Sequence, residues 1–233
     1  MKKLIFDVGG VQVWPRLGDW HIPYRAAEIL GGRADTLKTE RFEAARRQAF
    51  HWLDESQLVP TTEDERRLRR GCVEELNALM DWRMTPEEIA AMTDDFTDDI
   101  DRYGFFDDVL PWLSRWKGRY ALGVLSDAMP SIIDFLNAYG SGELFDHIVI
   151  STHVGATKPD PRMYRAAIEA FDARPEDCLF VDDNPANVEA ALRMGMKGVQ
   201  MARAEFMPPK LWDGPVARDF ADLDRLLETG AIF

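Results

Sequence analysis

Cysteine is scarce in this chain. Its 233 residues hold two, Cys72 and Cys178, far apart and with no second cysteine or histidine at ligand spacing. That excludes a disulfide framework, points to a reducing compartment and argues against a zinc site. Histidine is nearly as rare, and His21, His51, His147 and His153 form no ligand cluster. No apolar run approaches the ~20 residues of a membrane-spanning helix. The N-terminus enters a strand-like segment without a signal-peptide pattern, so the expected location is cytoplasmic. Positive charge is also short: 28 Lys and Arg face 41 Asp and Glu, a formal net charge of −13. Nucleic acid and anionic membranes are therefore not expected as partners. An anionic substrate would need a local cation or a metal to overcome the background field.

What is present is a globular composition, 46% hydrophobic and 30% charged, enough to bury a sizeable core in one or two domains. Nearly continuous apolar runs occur at Lys3–Phe6, Tyr120–Leu125, His147–Ile150, Cys178–Val181 and Gly198–Met201. Such runs fit strands buried on both faces, as in a parallel sheet covered by helices. Helical patterns at Met129–Tyr139, Pro161–Phe171 and Pro185–Met194 alternate with the later runs. The expectation is an α/β fold: a Rossmann-like core with a mainly parallel five-stranded sheet.

The stretch between the first two runs differs. Helical patterns at Ala26–Leu30, Thr39–Leu53, Thr62–Met80 and Pro86–Ile100 follow one another without a convincing strand. Thr61 or Thr62, and Thr85 before Pro86, read as helix starts. A crossover needs only a dozen or more residues. Residues 16–103 therefore read as an inserted all-helical cap, and 1–15 with 104–233 as the core. The insert leaves just after Asp7, so it is expected over the C-terminal edge of the sheet, where open α/β folds bind ligands.

Asp7 interrupts an apolar run and is followed by Gly9 and Gly10. A buried carboxylate is costly unless it is paired or binds a metal. A strand-end cap would account for Asp7 alone. Three further strand-end constellations, however, belong with it: Leu125-Ser126-Asp127, the GATKPDPRMY stretch carrying Lys158, and Asp182-Asp183 in FVDDNPANVEAA. In a parallel sheet these loops emerge on one edge. An aspartate can attack phosphorus and form a covalent intermediate. Clustered carboxylates call for a cation, and Mg²⁺ prefers oxygen ligands. A lysine and a hydroxyl can then hold the phosphoryl oxygens. Asp183 or Asn184 also has the chemistry to cap the helix near Pro185.

FDVGGV, LSD, GATKPDPRMY and FVDDNPANVEAA, in this order, resemble the four motifs of haloacid dehalogenase-like (HAD) hydrolases with a helical cap, and the likeness covers nearly the whole chain. The glycine form of the first motif resembles sugar-1-phosphatases and relatives of the epoxide hydrolase N-terminal domain. The resemblance implies Mg²⁺-dependent hydrolysis of a small phosphate monoester, such as a sugar phosphate. It makes Asp7 the nucleophile, Ser126 and Lys158 phosphate-binding groups, and Asp182 the direct metal ligand. Asp183 becomes a ligand or a neighbour of one, and the Gly9 carbonyl a further ligand. Gly9, Gly10, Asp127, Trp14 and Trp20 complete the candidate substrate contacts; Trp14 is equally a candidate for packing, and packing of the insert is the favoured reading of Trp52.

One position departs from the pattern. Many phosphatases of this family carry a second aspartate two residues after the nucleophile, where this chain has Gly9. General acid–base catalysis contributes about 10²–10⁴-fold. Three accounts follow: a substitute proton carrier such as Asp19, His21 or Asp127, a substrate with a good leaving group, or a slow or non-catalytic protein. The competing functions are a metal-independent 2-haloacid dehalogenase and a binding or regulatory protein. The expected partner is a small phosphorylated metabolite, and the expected state is a monomer or homodimer.

Overall fold

Two compact units divide the chain: residues 1–14, 105–128 and 136–233 form one, and 15–104 with 129–135 the other. The computed structural model describes residues 1–56, 58–203, 211–230 and 232–233, without the side chains of 52–56. In chain order, β1 (Lys3–Phe6) and β2 (Val13–Pro15) precede four helices, α1 (Ala26–Leu30), α2 (Glu40–Ser56), α3 (Thr62–Met80) and α4 (Pro86–Asp98). Then come β3 (Tyr103–Phe105), α5 (Val109–Trp116), β4 (Ala121–Ser126), α6 (Ser131–Ala138) and β5 (His147–Ile150). Next are α7 (Ser151–Val154), α8 (Pro161–Ala170), β6 (Cys178–Asp182) and α9 (Pro185–Arg193). β7 (Lys197–Met201), β8 (Val216–Ala217) and α10 (Phe220–Glu228) complete the series.

The first unit is built on a six-stranded sheet ordered β5-β4-β1-β6-β7-β8, with every neighbouring pair parallel. Five strands were expected from the apolar runs. The sixth, β8, has two residues and is too short to carry a hydrophobic pattern. Every residue of β4 and β6 is buried, as their unbroken apolar runs require. Successive β1 side chains serve opposite faces of the sheet. Ile5 joins Leu125, Tyr164, Phe180 and Ala191 in one core cluster. Phe6 stacks on Phe220 at 5.5 Å and meets Trp112 edge-on at 5.7 Å. The indole N–H groups of Trp112 and Trp116 both donate to Asp224, which fixes α5 against α10.

The helical unit packs α1 to α4 around Phe42, Ala49, Phe50, Leu76, Met92 and Phe96. Its helix starts follow capping chemistry: the Thr61 hydroxyl accepts from the Asp64 N–H at 3.1 Å. Thr85 and Glu88 form a reciprocal box at the start of α4, with Pro86 in the first turn. Thr85→Ala is expected to lower stability by about 1 kcal/mol, seen as a lower urea midpoint, with Thr85→Ser retaining most of it. An unchanged midpoint in Thr85→Ala would show that the box contributes nothing.

The short segment 129–135 groups with this unit because Met129 packs on its core and Ser131 is held by a buried carboxylate. Glu65 is fully buried and accepts from the Ser131 N–H at 2.8 Å, the Ser131 hydroxyl at 2.7 Å and Arg69 at 2.7 Å. Among the described residues, no helix is long and apolar enough to cross a membrane.

Candidate active site

β1 lies between β4 and β6, with Phe6 opposite both Val124 and Val181. The Asp7 N–H continues the ladder to the Val181 carbonyl at 2.9 Å. Asp7 thus stands one residue beyond its strand, beside Ser126 and Asp182, the last residues of theirs. All three emerge at the C-terminal edge of the sheet, on both sides of the point where strand order reverses.

Lys158 enters from the loop between α7 and α8. Its ammonium lies 2.8 Å from Asp7 Oδ1 and donates to Asp182 Oδ2 at 2.7 Å and to the Leu125 carbonyl at 3.3 Å. The approach to Asp7 is an ion pair by distance without hydrogen-bond geometry, and Asp7 Oδ1 is a buried acceptor with no directed donor. Asp127 fixes the lysine's own loop by accepting the Lys158 N–H at 2.9 Å. Burial opposes the Lys158 charge, but Asp182, Asp7 and Asp127 outweigh it and hold the ammonium protonated above the ordinary lysine range.

The two adjacent aspartates have different surroundings. Asp182 is fully buried and accepts from Lys158, the Asn184 N–H at 2.8 Å and the Asn187 amide at 3.2 Å. Asn187 sits in the first turn of α9 and is anchored in turn by the Tyr164 hydroxyl, which donates to its carbonyl at 2.9 Å. Burial pushes the Asp182 carboxyl above its ordinary range, against the pull of Lys158. Burial, then repulsion from Asp7 and Asp182, pushes Asp183 up to about 7. Asp127 is raised to about 6, chiefly by burial.

The donor set fits a divalent cation. Asp7, Asp182 and Asp183 each offer a carboxylate oxygen, and these oxygens lie within 4.8 Å of one another. Hard oxygen donors in such a group suit Mg²⁺. Gly10 makes room for the third of them. Its φ is +67°, and a Cβ there would lie 2.6 Å from Asp183 Oδ2. Gly10→Ala is therefore expected to displace the Asp183 carboxylate. It should weaken Mg²⁺ binding at least tenfold by isothermal calorimetry and destabilise the fold by about 1–2 kcal/mol through the left-handed backbone. Wild-type affinity in a folded Gly10→Ala protein would exclude Asp183 as a ligand.

Gly9 is half-buried and bridges to Val13. Trp14 is half-buried in β2, whereas Trp20 belongs to the helical unit, with its ring 5.4 Å from Tyr103. Asp19 and His21 also belong to that unit, where Asp19 pairs with Arg46 at 3.0 Å. The Trp52 side chain lies outside the described residues. Two supporting residues were not anticipated. Gln12, fully buried, donates from Nε2 to the Asp7 carbonyl at 2.9 Å. Its signal was a lone amide inside an apolar stretch, Val11 to Val13. Arg203 donates to the Val11 carbonyl at 2.9 Å and pairs with Asp108 at 3.0 Å, across separations in sequence that no local pattern reveals.

A family model described as haloacid dehalogenase-like hydrolase matches residues 1–195. The chain belongs to the haloacid dehalogenase-like hydrolase family. Phosphoserine phosphatase of Thermus thermophilus is 31% identical over 121 residues, 51% of this chain and 49% of that protein. The chain spans about half the length of the curated relatives it matches first. Among solved structures, a 2-haloacid dehalogenase from Pseudomonas syringae matches with a TM-score of 0.67 and 18% identity, covering 99% of both chains. A HAD phosphatase from Thermococcus onnurineus matches with a TM-score of 0.62 and 20% identity over 97% of this chain and 98% of that one. Both structural likenesses concern the fold, and a HAD-like fold carries both chemistries, so the choice of reaction rests on the site.

Proposed function

We propose that this HAD-like hydrolase cleaves a small phosphate monoester with Mg²⁺ through an aspartyl phosphate on Asp7. The observation that carries the reading is the group of three carboxylates, Asp7, Asp182 and Asp183, gathered beside Lys158. Displacement of halide from carbon by a carboxylate needs no such acidic group, which favours phosphoryl chemistry over dehalogenation.

In this reading Asp7, Asp182 and Asp183, with the Gly9 carbonyl, would hold the cation. Asp182 has a second task beside the direct ligation expected of it, since its oxygens also receive Lys158, Asn184 and Asn187. It positions the ammonium. Magnesium, when bound, supplies charge neutralisation among the carboxylates and polarises a phosphoryl oxygen. Lys158 presents a fixed positive charge to the phosphoryl group at a site that water reaches poorly, where such a charge counts most. Ser126, ending β4 at the same sheet edge, offers a hydroxyl to a second phosphoryl oxygen. Asp7 attacks phosphorus with one carboxylate oxygen as the ester's P–O bond breaks and the alcohol portion leaves, and water then attacks the aspartyl phosphate, releasing inorganic phosphate and the free carboxylate.

The test is phosphate release from a panel of phosphorylated metabolites, with Mg²⁺ and with EDTA, alongside halide release from 2-chloropropionate. Turnover of phosphate esters that EDTA stops is the expected result. Metal-independent chloride release with no phosphate release would establish the dehalogenase instead. Silence on both would favour a binding role.

A further inference from the structure

Resting on the phosphatase reading, the commitments of the groups around Asp7 narrow its substrate class. In a monoester the bond from phosphorus to the leaving oxygen breaks as Asp7 attacks, and that oxygen needs a proton if its alcohol is weakly acidic. Among the described residues, Asp127, Lys158, Asp182 and Asp183 act electrostatically with Asp7. Lys158 donates to Asp182 and the Leu125 carbonyl and lies 2.8 Å from Asp7 Oδ1, so its ammonium is held inside the site between two carboxylates. Asp182 is enclosed and accepts from three residues. Asp127 is tied to the Lys158 N–H. Asp183 lies against Gly10, within the carboxylate group that suits a cation. Gly9, two residues after the nucleophile, has no side chain.

We infer that the leaving group departs from this site as an anion, so the substrate is a phosphate ester or anhydride of an acidic partner: an acyl phosphate, or a phosphate of a phenol, enol or hemiacetal hydroxyl. The atoms balance without an internal acid. The Asp7 carboxylate forms the new O–P bond, and the leaving oxygen keeps the electron pair and collects a proton from solvent. Water then attacks the aspartyl phosphate. Its oxygen and both of its protons leave as dihydrogen phosphate, and Asp7 is again a carboxylate.

The experiment compares kcat/KM, which reports the phosphorylation of Asp7, for 4-nitrophenyl, phenyl and benzyl phosphate with Mg²⁺, using Asp7→Asn as the blank. These probes are close in size and differ in leaving-group acidity. Wild type is expected to lose on the order of 10²–10⁴-fold from the nitrophenyl to the benzyl ester, the worth of an absent general acid. Gly9→Asp, at a backbone position outside the left-handed region, should narrow that gap at least tenfold while still cleaving 4-nitrophenyl phosphate. Asp7-dependent cleavage of all three within tenfold of one another overturns the inference and leaves the phosphatase standing, with its proton supplied from elsewhere in the chain. A gap that persists unchanged in a folded, active Gly9→Asp protein overturns it as well. No Asp7-dependent release from these esters or from acetyl phosphate brings down the phosphatase reading itself.

Discussion

Lys158→Met is expected to destabilise the sheet-bearing unit by about 3–5 kcal/mol, the cost of leaving a buried charge without its partner. The methionine fills much of the lysine stem's volume, so the loss is electrostatic rather than a cavity. Asp182 has no exposed surface, and Lys158 supplies its only cationic partner within ion-pair distance among the described residues. Asn187 and the Asn184 N–H remain as donors, but neither carries charge. Asp7 loses the same counter-charge. Urea unfolding of wild type, Lys158→Met, Asp182→Asn and the double variant forms a complete cycle. The double variant should recover at least half of the loss in Lys158→Met, because an asparagine no longer needs the cation. Additive single effects would mean that the two side chains are not energetically coupled, and a loss below about 1 kcal/mol would place this ion pair with weak surface pairs.

Asp7→Asn should reduce phosphate release by about 10³-fold or more, a loss of the size seen when a covalent nucleophile is removed. The amide preserves the shape of the side chain and removes the attacking oxygen. Stability should hold or rise slightly, since one member of a mutually repelling group of carboxylates becomes neutral while Lys158 keeps Asp182. This separation of activity from stability distinguishes a chemical role from a packing one. Acid-quenched wild type incubated with 4-nitrophenyl phosphate and Mg²⁺ should carry a phosphate adduct on the peptide containing Asp7, and the variant none. Turnover that survives the substitution would rule out the aspartyl phosphate.

Much of the architecture was legible because its signals are local. The helix starts at Thr61 and Thr85 act within one turn and need no tertiary partner. The runs at Lys3–Phe6 and His147–Ile150 became strands over the same residues; β1, between two neighbours, is buried from Leu4 to Phe6, whereas the edge strand β5 is fully buried only at Ile150. β2, β3 and β8 were not legible, because strands of three, three and two residues are shorter than the period that would reveal them. The candidate site residues were visible as chemistry at strand ends, but their division of labour was not. Asp182 and Asp183 are neighbours of one residue type, and nothing local tells which meets the ammonium and which faces Gly10.

The order of apolar runs and strand-end motifs determined, by itself, a parallel α/β sheet with a helical insert and the chemical types gathered at one edge. Those properties follow from burial and backbone geometry along short stretches. Only the tertiary structure decided that Lys158 spends its hydrogen bonds inside the site, that Gln12 and Arg203 brace the loop after β1, and that 129–135 groups with the helices. Each of these depends on where distant segments meet, and a directional contact between them leaves no periodic trace in either one.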